Sequence, residues 1–512
     1  MTWREDRFVL AVGVDAAEPA LVRELVARGE MPTLKALSDE GAWLRVESPA
    51  RVGSGSVWPT FITGEGPEAH GAYGEWCWRP DTMGLERFHG RDLKPFWEAP
   101  ARAGLTVGVL DVPFMPRLGL SRGFEISEWG AHDVLEGRLD FSPAVLAPLL
   151  TDGAPRHPLA LDRLDADGPD DEESLKKIAE GCLEGVKMRG ALAERLVRET
   201  RPQLAVVAFT EVHHASHYLW HAVAPGDGVY DGLEEKPRGV APMLKAPAAH
   251  ALEDVYREVD RQVARLVAAA PEGALVLVFS LHGMRPTRGI PAFLGPLLCE
   301  SGFARLADWR AQGWRERAVS GLAVLKRSMP APAKRLYYRL LPQTTTQRLA
   351  RPTMMPAYDW PRTRAFALPT DQHGWVRVNL EGREARGVVR PERYEATCRE
   401  VEELLRGLVT EGGRAVVREV LRTAARVEDA LTLKLPDIVV HWTEAAHETP
   451  LKLKGWSAAA PAAGMKFTGQ HALEGFCVTN ARGADDREAV RAEELHRRIL
   501  NHLAASAAAA AS

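Results

Sequence analysis

Three short apolar runs, each broken by polar or ionisable residues at its carboxyl end, constrain this chain more than any other feature. Residues 8–14 run into Asp15, 204–209 into Thr210-Glu211, and 275–279 into Ser280-Leu281-His282. Their hydrophobicity is continuous rather than alternating, which is the pattern of strands buried on both faces. Helix-period segments at 20–36, 175–199 and 249–269 lie between them. Strands alternating with helices predict an α/β fold, a three-layer α/β/α sandwich around a mostly parallel central sheet. In such a sheet ligands bind beyond the carboxyl ends of the strands, so the residues directly after the runs are the first candidates for chemistry.

The pattern changes at 302–352 to a basic, arginine-rich stretch interrupted by Pro330, Pro332 and Pro342. It returns to β type at 374–380, followed by a helix at 391–408 and a buried strand at 436–440. The expected organisation is a catalytic core in two parts, 1–301 and 366–503, with an inserted basic cap at 302–365 and an alanine-serine tail at 504–512. The chain carries 65 Lys plus Arg against 69 Asp plus Glu, a net charge of −4, and so lacks the basic excess that binding a nucleic-acid polymer requires. A small substrate is the expected partner. Five scattered cysteines without a CxxC spacing argue against a disulfide framework and against a cysteine zinc site. Charged residues at 1–7 lead straight into the first strand with no room for a signal peptide, and the apolar run around 274–279 is far below the roughly 20 residues of a membrane span. A soluble cytoplasmic protein is expected.

Histidine placement narrows the chemistry. The segment 211–221 holds four of the 16 histidines, and His213 and His217, four apart, would face the same way on a helix and could clamp a metal. An isolated HxxxH is more often chance clustering or stacking on a neighbour such as Trp220. Its position directly after a buried strand shifts the balance toward ligation.

The segments 12–19 (VGVDAAEP), 31–41 (MPTLKALSDEG), 54–64 (SGSVWPTFITG), 67–71 (PEAHG), 374–387 (GWVRVNLEGREARG) and 469–475 (GQHALEG) together resemble the alkaline phosphatase superfamily, in its type I phosphodiesterase/nucleotide pyrophosphatase branch. The likeness extends from about residue 9 to 478. It implies a metal-dependent hydrolase of phosphate esters, of a diester or pyrophosphate rather than a monoester. The family's nucleophilic Thr or Ser lies ten residues before the glycine closing a helix, which from Gly64 gives Ser54. A hydroxyl at a helix N-terminus sits where backbone N–H groups favour phosphate oxygens. The plainer use of Ser54 is as a helix cap, and Ser56 could take either part.

The family carries two divalent ions, and the resemblance supplies ligands for them unevenly. One set is His213, His217 and His471, with His213 standing where the family has Asp; three imidazoles and an open position suit a catalytic zinc. The other set is Asp15, Ser54 and His282, with Leu281 where a second carboxylate belongs. One tightly bound zinc is therefore expected, and either a weakly held second divalent ion or none. Glu211 and His214 are candidates for a substitute ligand or for orienting His213. Several further residues receive plainer readings. His70 belongs to a turn, Asp260 to a helix face where it is solvated or salt-bridged, Asp437 to a cap or ion pair, and Tyr73, Trp76 and Trp78 to a core, with stacking on a base as the alternative. Two competing functions remain on the same scaffold: a sulfate-ester hydrolase or phosphoryl transferase, and a phospho-ligand-binding protein without turnover, favoured by His213 and Leu281.

Overall fold

In the computed structural model the three apolar runs lie side by side at the centre of a nine-stranded sheet. The residues described are 3–130, 139–150, 156–159, 172–224, 250–288, 293–308, 340–341, 345, 354–369, 372–447, 451–453, 456–458, 467–482 and 489–504. Most of the expected cap, including 309–339, and the tail at 505–512 lie outside them. The chain forms two compact units, one of Met1–Gly66, His89–Thr287 and Met465–Ser512, the other of Pro67–Phe88 and Arg288–Gly464.

The large sheet belongs to the first unit. Its strands are β1 (Val9–Val14), β2 (Ala42–Glu47), β3 (Val107–Leu110), β4 (Gly123–Ser127), β5 (Asp140–Ser142), β6 (Leu204–Phe209), β7 (Leu275–Ser280), β8 (Glu474–Thr479) and β9 (Ala489–Arg491). Their spatial order is β9-β2-β8-β7-β1-β6-β3-β4-β5. Only β5 and β8 run against the rest, so the mostly parallel α/β sheet expected from the sequence is present. Every residue of β1 and β6 is buried, as strands covered by helices on both faces require.

Alternate residues of β1 point into different layers. Leu10, Val12 and Val14 join one apolar cluster with side chains of α1 (Pro19–Ala27), α2 (Pro32–Glu40), α4 (Glu172–Thr200) and α6 (Ala251–Ala269). On the other face Gly13 meets Trp58 of α3 (Val57–Thr63), and α7 (Ala492–Leu503) packs beside α3. A Cβ on residue 13 would come within 2.5 Å of the Trp58 ring, so the glycine in this strand marks the place where an indole lies directly on the backbone.

One expectation for this layer is corrected. Asp260, read as solvated or salt-bridged on an amphipathic helix, is 1% exposed and accepts the backbone N–H groups of Thr33 and Leu34 at 3.1 and 2.9 Å. Helix α2 starts at Pro32 after Met31, which offers no side-chain cap, so its first free donors are satisfied from the neighbouring helix. Burial raises the Asp260 carboxyl above the usual range despite these bonds.

The second unit contains a four-stranded antiparallel sheet, Ala365–Leu368, Gly374–Val378, Ile438–Trp442 and Val417–Arg422 in spatial order, with the helix Pro391–Arg406 against it. Asp437, expected to cap or pair, is fully buried and accepts from Arg383, from the Tyr394 hydroxyl and from the Val378 N–H at 2.7–2.8 Å. Tyr73 and Trp78 pack in this unit's core, Tyr73 edge-on to Trp375 and Trp78 donating to Glu384 at 2.7 Å. Among the described residues no helix is long and apolar enough to cross a membrane.

Candidate active site

The register of the central strands sets the site. Val14 pairs with Phe209, and Gly13 with Phe279, so Asp15, Thr210 and Leu281 follow their strands at one level, with His282 one residue further on. Helix α5 (Glu211–Leu219) begins immediately after β6 and carries His213 and His217 on one side of its first turns. His471 arrives from far along the chain. It closes a short antiparallel ribbon in which Gly469–His471 pairs with Met284–Pro286, opposite Met284 and two residues from His282.

These placements bring three imidazoles together. His213 Nε2 lies 2.8 Å from His217 Nε2 and 2.8 Å from His471 Nε2. Among the described residues the three form a group whose donor atoms all lie within 4.8 Å of one another and could hold a metal ion. The outer nitrogens explain which way the inner ones face. His213 Nδ1 is 2.8 Å from Asp15 Oδ2, and His217 Nδ1 is 3.0 Å from the Gly469 carbonyl oxygen. Carboxylate and carbonyl oxygens only accept, so both Nδ1 atoms carry the proton and both Nε2 atoms present lone pairs. Facing lone pairs repel unless a cation or proton lies between them. A metal ion bound between them would replace that repulsion with bonds to nitrogen lone pairs. The donor set therefore fits such an ion. Burial, reinforced by the neighbouring His282, His213 and His217, holds the His471 pKa well below the usual histidine range, which keeps its ring neutral.

Asp15 and His282, expected as ligands of a second ion, are placed differently from the trio. The Asp15 carboxylate is 2% exposed; besides His213 it accepts the indole N–H of Trp58 on Oδ1 at 2.8 Å. His282 Nε2 is 3.6 Å from the same Oδ1, and its Nδ1 lies 3.2 Å from the Gly283 carbonyl. Leu281 is 2% exposed and belongs to the core. The loop carrying His282 is held by Glu18, whose Oε2 accepts the Met284 N–H at 2.8 Å. Burial raises the Glu18 carboxyl above its usual range.

Ser54 opens a single 3₁₀ turn, Ser54–Ser56, that leads into α3, and its side chain is partly exposed. Ser56 is fully buried, with its hydroxyl 2.7 Å from the Gly53 carbonyl and 2.8 Å from that of Pro49. Of the two serines, Ser56 is committed to the loop backbone. Gly64 ends α3 in the left-handed conformation, φ 68°, as a helix-closing glycine does.

Glu211 and His214 do not join the imidazole group. Glu211 is fully buried and accepts Arg189 Nε at 2.8 Å and His157 Nε2 at 3.0 Å. Arg189 also reaches Asp111 Oδ2 at 2.8 Å and the Thr210 hydroxyl at 3.1 Å. Burial alone would raise the Glu211 carboxyl, but Arg189 and His157 bring it down to about 2. Glu211 thus anchors the start of α5 rather than a ring of His213. His214 packs 5.2 Å from Tyr218. His70 accepts the Ala72 N–H at 3.1 Å, as expected of a turn residue, and burial lowers its pKa to about 4. Sequence reasoning missed Trp58, Glu18 and Arg189. Gly13 was the available signal for Trp58, since a lone glycine in a buried strand marks close approach.

Comparison with known proteins agrees with this architecture. The family described as type I phosphodiesterase / nucleotide pyrophosphatase matches residues 9–446. Phosphonoacetate hydrolase from Sinorhizobium meliloti, solved in complex with phosphonoacetate, is similar in fold, with a TM-score of 0.50 at 16% identity over 98% of this chain and 97% of that one. Human ectonucleotide pyrophosphatase/phosphodiesterase 5 gives a TM-score of 0.46 at 11% identity, covering 98% and 96% of the two chains. No curated protein matches the chain.

Proposed function

The chain belongs to the type I phosphodiesterase/nucleotide pyrophosphatase family, within the alkaline phosphatase superfamily, and is a phosphoester hydrolase of that kind; from that premise we propose that it cleaves a phosphodiester or pyrophosphate bond with Ser54 as nucleophile and a zinc ion on His213, His217 and His471. The observation that carries the metal part is the convergence of three imidazole Nε2 atoms, two of them with Nδ1 held from behind. An ion there would supply positive charge to the phosphoryl oxygens and to the leaving oxygen.

The protein's own groups supply the rest. Ser54 Oγ attacks phosphorus, the P–O bond to the leaving group breaks, and water later hydrolyses the phosphoserine ester. His282, with Nδ1 directed to the Gly283 carbonyl, presents Nε2 to take the serine proton, and the resulting cation would face Asp15 Oδ1 at 3.6 Å. Ser56 keeps the turn in shape. Five free thiols suit a reducing compartment, and we place the protein in the cytoplasm.

Leu281, buried where a second carboxylate belongs, favours a different reading in which the protein binds a phosphorylated ligand without turning it over. Metal analysis together with p-nitrophenyl phosphate, bis-p-nitrophenyl phosphate, a dinucleotide pyrophosphate and p-nitrophenyl sulfate separates the two, and separates both from a sulfatase. Diester or pyrophosphate hydrolysis abolished by a chelator supports the proposal; binding without turnover of any substrate refutes it.

A further inference from the structure

The Asp15 carboxylate is held from two sides by residues that belong to different parts of the proposed machinery. Oδ2 takes the Nδ1–H of His213, so this carboxylate fixes the tautomer and orientation of a ring in the imidazole trio, as carboxylates behind metal-binding histidines do. Oδ1 takes the indole N–H of Trp58, a group that can only donate. A donor on Oδ1 competes with any cation for the oxygen nearest His282, 3.6 Å away. The other carboxylate a second ion would need is replaced by Leu281, an apolar side chain 2% exposed. Hard divalent ions require oxygen ligands, and the described residues around Asp15 and His282 have lost one of two.

Trp58 adds a second link. It lies four residues after Ser54, and its ring rests on the backbone of Gly13, two residues before Asp15. Phe279 and Phe61 pack against it with centroids at 6.2 and 6.0 Å, so the indole has little freedom.

From this arrangement, and resting on the tri-imidazole reading above, we infer that Asp15 is the positioning carboxylate of His213 rather than a ligand of a second ion, that Trp58 fixes it in that role, and that the centre holds a single ion. The indole thereby ties the segment bearing Ser54 to the metal-binding helix.

The experiment is cobalt(II) and zinc titration of the full chain, followed by visible absorption of the cobalt form. Wild type should bind one ion per chain. Asp15→Asn should still bind one, about 10- to 100-fold more weakly, the usual effect of losing a carboxylate behind a histidine ligand. Trp58→Phe keeps an aromatic ring over Gly13 and should weaken binding several-fold. The two changes should not add. In Asp15→Asn the amide oxygen can serve His213 only by turning its NH2 against the Trp58 N–H, so Trp58→Phe in that background should tighten binding and return the cobalt spectrum toward wild type. Two ions in wild type, one of them lost in Asp15→Asn, overturns the inference and leaves the tri-imidazole reading intact. Additive weakening in the double variant also overturns it. No ion bound by wild type overturns both. Should Asp15→Asn fail to fold, the wild-type stoichiometry and Trp58→Phe still decide.

Discussion

The ion-pair network beneath α5 offers the sharpest test of how the fold supports the site. Arg189 is 0% exposed and holds Glu211, Asp111 and the Thr210 hydroxyl at 2.8–3.1 Å, with Glu211 also 0% exposed. The Glu211 carboxyl is brought down to about 2 from an ordinary 4.5, a difference equivalent to roughly 3–4 kcal/mol at about 1.4 kcal/mol per unit. Replacing Arg189 by Met retains apolar volume but leaves the buried Glu211 and the partly buried Asp111 without their shared cation, for which the usual cost is about 3–5 kcal/mol. Equilibrium urea unfolding near pH 7 should therefore show the variant less stable by about that amount. The sign with pH follows from the same shift. Because the folded value lies below the unfolded one, the contribution of Glu211 in wild type is complete above about pH 4.5 and is lost as pH falls toward 2. In the variant only His157 still opposes burial at Glu211, so its carboxyl rises and acidification relieves the native state. The gap between wild type and Arg189→Met should narrow between about pH 7 and about pH 4. A gap under about 1 kcal/mol at neutral pH, or one that does not change with pH, would refute the reasoning. Since Glu211 starts the helix carrying His213 and His217, the variant should also bind zinc more weakly.

Three further outcomes are expected. His217→Ala and His471→Ala should each lower zinc content from about one ion per chain to near none by elemental analysis, and unchanged content would remove these residues from the site. Ser54→Ala should reduce turnover by several orders of magnitude at unchanged metal content, whereas Ser56→Ala, which loses only backbone contacts of a buried hydroxyl, should cost about 1 kcal/mol of stability and retain turnover; the reverse pattern would exchange their roles. Leu281→Asp places a carboxylate in a dry position, so it should destabilise the apo-protein and regain stability with zinc or manganese, with a second binding event by calorimetry; a second event already present in wild type would show that Leu281 does not disable that site.

The parts of the molecule readable from sequence are those governed by local pattern. Continuous apolar runs gave β1, β6 and β7, and the residues directly after them are the ones gathered at the sheet's carboxyl edge. The residues that escaped are set by long-range packing. Asp260 looked solvated or salt-bridged because its helix is amphipathic, yet its partners are backbone donors more than 220 positions away. Glu211 was read as a neighbour of His213 because sequence proximity suggested it. Position 211 begins the helix and position 213 lies two residues on, so their side chains point apart, and Arg189 and His157 take the carboxylate. Trp58 was not singled out at all, and only its N–H distinguishes it from the aromatics that simply fill the core.

The proposed replacement of an acidic ligand by His213 gains its physical meaning from Asp15. Three neutral imidazoles leave a divalent ion its full charge, where a carboxylate ligand would cancel half of it. The negative charge has not left the neighbourhood. It sits one bond further out, on Asp15 behind His213, at 2.8 Å from Nδ1. There it raises the basicity of the ring and fixes its direction without occupying a coordination position. A centre built this way keeps a position open for a substrate oxygen and presents a stronger field to an anionic phosphoryl group than the acidic version would. It relies on Trp58 and Gly13 to keep the carboxylate turned toward the ring. That dependence explains why a glycine in the middle of an apolar strand and a tryptophan one helical turn after Ser54 belong to the same site.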